Sequence, residues 1–557
     1  MATIHRSPHP EVKIENIDVV KYILDEPFNR PDDHVYFTDA VTGETRTKRE
    51  IRQRVKSLAH GLRDLGVQEG DVVAFFSRNS IDFAITCFAI IGCGAIVSPT
   101  SAELTALEFQ AQLNTSQARY LITQSALRDT ALKAARGTSV RTIIQADGEG
   151  EVDGIPTAQT LATSCPPTDL FTIDPAEAAE RVAVISFSSG TSGAAKGVML
   201  THRNLVANVE QHRGMNHDLD LDYSIPIVVF LPMSHIYGFH ATLLMGQRVG
   251  RSMIVMPKFD LRVYLESLQK YRCVELWTVP PVILLMVKSP LVEKYDLSQV
   301  QRLISAAAPL TPGLAHALHL RFKKLYGSNA QCLQAYGTSE TSPLACALPF
   351  SEAGKSLSIG RIVPNTFMRF VDPDTERDAK VRPDGSTEPG ELWISGPQVM
   401  KGYLRNDGAN RSAFSFEADG TRWYRTGDVG YIDRHGYVTL SDRIKEMIKY
   451  KGIQVIPSDL EGKLVEHPDI EDAGVVGKWV EDQATEVPVA FVVLRSGVSK
   501  TEQTVSNIHQ WFNASVSNPK RLRGGIRIVD AIPKSSSGKI LRRQLRDLLK
   551  QPRTSNL

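Results

Sequence analysis

Apolar positions along the chain fall into two rhythms. Val182 to Phe187 is a short, nearly continuous apolar run, and Asp71 to Arg78 carries a similar core, so both predict buried strands. Ser80 to Ile91 predicts a helix, with Pro99 ending the short strand after it. The longest apolar run, Phe83 to Val97, is interrupted by Thr86, Gly92 and Gly94, and it falls short of the roughly 18 to 20 residues that a membrane span needs. It reads as a buried helix running into a strand. Lys539 to Lys550 alternates Lys and Arg with Leu and Ile at helical spacing, which predicts arginines facing solvent. Such alternation of strand and helix predicts an α/β fold of helix-covered sheets. Asp147 to Glu180, rich in Pro, Thr and Ala, reads as a surface connection. Near Leu440 the β-type stretch Gly420 to Gly436 gives way to the basic stretch Asp442 to Lys451, which predicts a boundary between residues 1–440 and 441–557.

Chemistry concentrates first just after Val182 to Phe187, in Ser188-Ser189-Gly190-Thr191-Ser192-Gly193-Ala194-Ala195-Lys196-Gly197. Glycines let the backbone approach phosphate oxygens, hydroxyls and backbone N–H groups donate to them, and Lys196 supplies charge. The pattern is not G-x-x-x-x-G-K-[ST], which disfavours an ordinary NTPase. Taken alone, the stretch reads equally well as a surface turn.

Further segments follow in order: Leu231-Pro232-Met233-Ser234-His235-Ile236-Tyr237-Gly238, Gln334-Ala335-Tyr336-Gly337-Thr338-Ser339-Glu340-Thr341, and Gly390-Glu391-Leu392-Trp393-Ile394-Ser395-Gly396-Pro397 running on to Lys401-Gly402-Tyr403. Then come Tyr424-Arg425-Thr426-Gly427-Asp428, the stretch Ser441 to Gly452, and Pro533-Lys534-Ser535-Ser536-Ser537-Gly538-Lys539-Ile540-Leu541-Arg542. Together with the glycine loop, these resemble the signature motifs of the adenylate-forming superfamily, on the branch of the 4-coumarate:CoA ligases and firefly luciferase. The resemblance runs from about residue 40 to about 545. It implies a large N-terminal domain of helix-covered sheets with a β-subdomain, and a small mobile α+β C-terminal domain.

The same resemblance implies an acid:thiol ligase that uses ATP, Mg²⁺ and coenzyme A and forms an acyl-adenylate. The nucleotide would be held by Ser188, Ser189, Gly190, Thr191, Ser192, Gly193 and Lys196, with Ala307, Ala308, Pro309, Gln334, Ala335, Tyr336, Gly337 and Ser339 beside it. Tyr336 would stack on adenine, Asp428 would take the ribose hydroxyls, and Arg443 would add a positive charge. Glu340, with Thr191, would hold Mg²⁺. Lys539 would bridge the substrate carboxylate and the α-phosphate. Lys449, Lys451 and Gly452 would face the active site in the CoA step after the small domain turns about Lys445, and His235 would gate the path between the acyl and CoA sites. Tyr237, Ala306, Ala335, Pro343 and Leu344 would line the acyl pocket. Ala306 and Ala335 stand where the family commonly has glycine, and each added methyl implies a narrower acyl site. Aromatic, arylalkanoic and medium-chain acids all remain open. Outside the resemblance, His235 would read as a packed core histidine, and Lys445, Lys449 and Lys451 as a solvated basic face.

Composition changes this picture little. The chain has 557 residues, too many for one core, and a net charge of +2 that points to no nucleic-acid partner. Its six cysteines are scattered without C-x-x-C pairs and read as reduced core residues. Met1 to Glu15 lacks the apolar stretch of a secretory signal. The last residues, Ser555-Asn556-Leu557, are similar to a peroxisomal import tripeptide, so an import receptor is an expected partner and both peroxisome and cytoplasm stay open. The competing readings are a stand-alone adenylating enzyme loading a carrier protein, a luciferase-like oxygenase, and a decayed non-catalytic nucleotide-binding protein. Intact Lys196, Glu340, Asp428 and Lys539 weigh against the last.

Overall fold

The computed structural model describes residues 3–25, 27–188, 195–216, 221–354, 358–443, 446–450, 453–483, 485–535 and 538–550; side chains of 442, 443, 453, 454 and 482 are outside this description. A seven-stranded sheet runs in the order Gly402–Tyr403, Lys196–Thr201, Val182–Ser188, Ile96–Ser101, Val72–Ser77, Tyr120–Thr123, Thr142–Gln145. Its middle is parallel, and the first two pairings are antiparallel. A five-stranded sheet holds Glu275–Thr278, Arg302–Ser305, Gln331–Gly337, Leu344–Ala347 and Arg361–Ile362. An antiparallel sheet built on Phe367–Val371, Gly390–Ser395 and Arg422–Ile432 forms the β-type part. One continuous apolar core joins these sheets.

Burial explains the local choices. All ten residues of helix Phe83–Gly92 are buried, as a helix without a polar face requires. Strand Ile96–Ser101 runs through Pro99 instead of ending there. Its ladder to Val72–Ser77 continues to Ser101, while its pairing with Val182–Ser188 is made at Val97, so the donor that proline lacks is lost without breaking the sheet. Asp147 to Glu180 is more than a connection: it contains helix Ala158–Ser164, whose Leu161 packs against Gly61 of helix Lys48–Asp64. A Cβ on Gly61 would lie 2.8 Å from the Leu161 side chain, so the close approach of these helices depends on the missing side chain.

Strand Val438–Arg443 still pairs with Arg422–Ile432 and so crosses position 440 as part of the β-type sheet. Beyond it, a second unit has cores of its own. Strands Ile470–Val480, Thr485–Leu494 and Ile526–Ile528 form its sheet, and helices Pro457–Leu464, Glu502–Ser515 and Arg542–Lys550 cover it. Arg542 departs from the solvent-facing expectation: its side chain is buried between Glu446 and Glu461. This unit rests on the large one at a few points, among them Lys288, whose ammonium donates to the Glu471 carbonyl at 3.1 Å, and Gly538, which abuts Pro281. Five cysteines are buried, Cys165 is half-buried, and all six are free. Among the described residues, no helix is long and apolar enough to cross a membrane.

Candidate functional site

Ser188 and Lys196 face each other across the antiparallel pair that flanks the glycine loop, and both reach one cavity of about 550 Å³. Strand Gln331–Gly337 and the turn after it supply Gln334, Ala335, Tyr336, Gly337, Ser339 and Glu340 to the wall. His235, Tyr237, Ala306, Ala307, Pro343 and Leu344 add to it, and Lys539 reaches it from the small unit. The main chain here leaves no slack. A Cβ on Gly337 would stand 1.7 Å from the Pro343 carbonyl oxygen, and one on Gly238 would stand 2.2 Å from that of Pro232. Ala307 adopts a left-handed φ of 71°, a conformation an alanine takes at a cost of order 1 kcal/mol.

At one end the wall is ionic. Glu340 is 7% exposed, and its Oε1 accepts from the Tyr403 hydroxyl at 2.9 Å. The Lys196 ammonium stands 4.7 Å from the centre of the same tyrosine ring. Tyr403 thus braces both charged groups. It belongs to the Lys401-Gly402-Tyr403 motif, yet nothing in the sequence assigned it a role. The Tyr336 hydroxyl donates to Asp428 Oδ2 at 2.5 Å, which places Asp428 behind the tyrosine, while Thr426 and Gly427 line the cavity itself. Among the described residues, no cluster of three or more His, Cys, Asp or Glu could cage a metal. One buried carboxylate opposite a lysine suits a hard cation that draws its other ligands from phosphate and water.

At the other end the wall is aromatic and neutral. Tyr237 lies nearly parallel to Trp277, with centroids 6.4 Å apart, and its hydroxyl donates to the Ile304 carbonyl at 3.4 Å. His212 stacks on His240, and their facing nitrogens lie 3.1 Å apart. Burial pulls the His212 pKa down to about 4 and that of His240 well below the usual imidazole value, so both rings are neutral at pH 7. Behind them the Trp277 indole N–H donates to Glu275, which also pairs with Arg251 at 2.9 Å. Burial opposes ionisation of Glu275, and the charge of Arg251 with the indole hydrogen bond more than offsets it, leaving the carboxyl below its ordinary range. His212 and His240 were not singled out from the sequence. They lie 28 positions apart, and packing of helix His202–Gly214 against the π-helical turn Phe239–Gly246 brings them together.

His235 lines the cavity as well. Its Nδ1 accepts from the Tyr237 amide at 3.3 Å. Burial, then the charge of Lys539, lowers its pKa to about 4. Other expected residues stand elsewhere. Lys449 is exposed on a hairpin off the cavity, its amide donating to Glu486 Oε2 at 2.8 Å. Ala308 and Pro309 are off the wall. The Arg443 backbone pairs with Asp428, but its side chain lies outside the described residues. So do Ser189, Gly190, Thr191, Ser192, Gly193, Lys445, Lys451, Gly452 and Ser555-Asn556-Leu557.

Comparison with known proteins bears on the whole arrangement. Residues 24–404 match the family described as AMP-binding enzyme, and residues 459–539 match the AMP-binding enzyme C-terminal domain. The chain is 36% identical over 552 residues to 4-coumarate--CoA ligase 1 of Petroselinum crispum, covering 98% of this chain and 96% of that one. It is 34% identical to 4-coumarate--CoA ligase 4 of Arabidopsis thaliana, covering 98% and 94%. A benzoate CoA ligase from Burkholderia xenovorans has the same fold, with a TM-score of 0.79 at 22% identity over 95% of this chain and 99% of that one. A match over most of the large unit, a second over the small one, and relatives aligned end to end establish that the chain belongs to the family of AMP-binding enzymes.

Proposed function

We propose that the protein is an ATP- and CoA-dependent acid:thiol ligase. One observation carries the reading: Lys539, on the small unit, reaches the same cavity as Lys196 and Glu340 on the large one. Two cations and one carboxylate from separate elements can hold a polyphosphate against a second anion, which few other reactions require. In the first step a substrate carboxylate oxygen bonds to the α-phosphorus of ATP as the bond to pyrophosphate breaks. Lys539 draws the two negative partners together, and Lys196 holds the outgoing phosphates. When bound, Mg²⁺ would be held by Glu340 and phosphate oxygens and would offset phosphate charge. Tyr336 offers its ring face to adenine, with Asp428 set behind it by their hydrogen bond. In the second step the CoA sulfur attacks the acyl carbon, AMP leaves, and the thiol proton passes to solvent. Lys449, exposed and away from the cavity, serves that step after residues 441–557 turn about Lys445. Neutral His235 then acts as a gate between the acyl and thiol sites.

The acyl group occupies the aromatic end, between Tyr237, Trp277, Ala306 and Ala335. Its neutral histidines and rings support an aromatic, arylalkanoic or medium-chain acid over one with a second charge. Pyrophosphate release measured with ATP, Mg²⁺ and a panel of such acids, with and without CoA, tests the reading. Acid-dependent release that CoA converts to acyl-CoA, and that Lys539→Ala lowers by about a hundredfold to a thousandfold, is the expected outcome. Release that ignores the substitution, or no release with any acid, would overturn it.

A further inference from the structure

Lys539 sits on a loop held at both feet, and the stronger hold is an ion cluster that plays no part in the chemistry above. The loop closes on itself: the Ser535 amide donates to the Lys539 carbonyl at 2.8 Å, the Gly538 amide to the Ser535 carbonyl at 2.8 Å, and the Leu541 amide to the Pro533 carbonyl at 2.8 Å. At the first foot, Lys534 pairs with Asp472 at 2.6 Å. At the second, Arg542 opens helix Arg542–Lys550 three residues after Lys539. Its Nη2 donates to both carboxylate oxygens of Glu461, at 2.8 and 2.9 Å, its Nη1 pairs with Glu446, and its Nε donates to the Val475 carbonyl at 3.3 Å. All three side chains are about one-tenth exposed. Glu461 in turn accepts the Val475 amide at 2.9 Å, so the cluster ties helix Pro457–Leu464, strand Ile470–Val480 and the foot of the lysine loop into one rigid body.

We infer that Arg542 is a positioning residue, which fixes where the Lys539 ammonium stands in the cavity through Glu446 and Glu461. The inference rests on Lys539 acting in acyl-adenylate formation. Geometry favours a positioning role over simple core packing. A planar, five-donor guanidinium held on three partners defines a direction as well as a place, and the lysine is too close in sequence for that direction not to reach it. A displacement of about 1 Å at a reacting group costs on the order of a hundredfold in rate. Lys449, which serves the other step, stands three positions after Glu446, but its hairpin has anchors of its own in Glu486 and Thr485.

The two half-reactions therefore separate the roles. Acid-dependent pyrophosphate release reports the step that needs Lys539; thioester formation from a synthetic acyl-adenylate and CoA reports the step that does not. Arg542→Gln is expected to lower kcat for release by about a hundredfold, with far smaller changes in KM for ATP and acid, and to leave thioester formation within about twofold. Arg542→Lys should restore part of the loss. Lys534→Met, which loosens the other foot at a pair about a quarter exposed, should lower release in the same selective way by about tenfold, and it keeps the question open to measurement if Arg542→Gln does not fold. Equal falls in both half-reactions, or unchanged release in both variants, would overturn the inference. If Lys539→Ala itself left release intact, the ligase chemistry assigned to the lysine would be what had failed, and the pinned loop would have nothing to position.

Discussion

The two ends of the cavity are built on opposite electrostatic plans. At the ionic end, Lys196 and Glu340 are braced by Tyr403, and Lys539 reaches the same cavity on the pinned loop. At the aromatic end, burial keeps His212 and His240 neutral, and Glu275 sits behind Trp277 with Arg251 as its partner. On the proposed reading a polyphosphate and an acyl chain share this one volume, with neutral His235 on its wall.

The contrast can be broken at either end. Removing the ionic end has the largest expected effect: Glu340→Gln should cut acid-dependent pyrophosphate release by about a hundredfold to a thousandfold and raise the Mg²⁺ concentration needed, as a magnesium titration would show. Release with an unchanged magnesium dependence would remove Glu340 from the metal's coordination. Next is Trp277→Ala, which opens the aromatic end. Calorimetry should show a loss of about 3 to 5 kcal/mol in stability, and competition assays should show a shift toward bulkier acids. An unchanged ranking would place the acyl chain elsewhere. Tyr403→Phe, which keeps the ring over Lys196 and removes only the hydroxyl on Glu340, should cost about tenfold in release. The last effect is on pH dependence and is read in stability instead of rate. His235 and His212 have pKa values lowered to about 4, below that of an unfolded histidine, so the unfolded chain takes up their protons first. Their contribution to stability is complete above about pH 6.5 and is lost as pH falls toward 4. Urea midpoints should therefore hold steady from pH 7 to 8 and fall from pH 6.5 to 5, and His235→Gln should flatten that fall.

Much of the ionic end could be read from the chain because its residues cluster in short motifs whose spacing survives as backbone geometry. Lys196 follows a glycine loop, Glu340 follows Gly337, and Lys539 follows Gly538. Tyr237, Ala306, Ala335, Pro343 and Leu344 could be read as wall residues too, but the rest of the aromatic end could not. His212, His240 and Trp277 belong to three elements with no common motif, and only packing makes them neighbours. Arg542 departs from the expectation for a related reason: its helix does alternate charge with Leu and Ile, but Arg542 meets Glu446 and Glu461, 96 and 81 positions away, which no local period encodes. Helix Ala158–Ser164 was hidden by its composition and stands because Gly61 leaves it room.

Gly337 has a consequence for how this protein could change its substrate. Its main chain lies against the Pro343 carbonyl with no space for even a methyl, so that side of the cavity is closed to drift. His212, Asn216, Trp277 and Phe350 line both the main cavity and a smaller hollow beside it. Lineages or libraries selecting new acids would thus be channelled to one wall, and variation should pile up there while the opposite strand stays frozen.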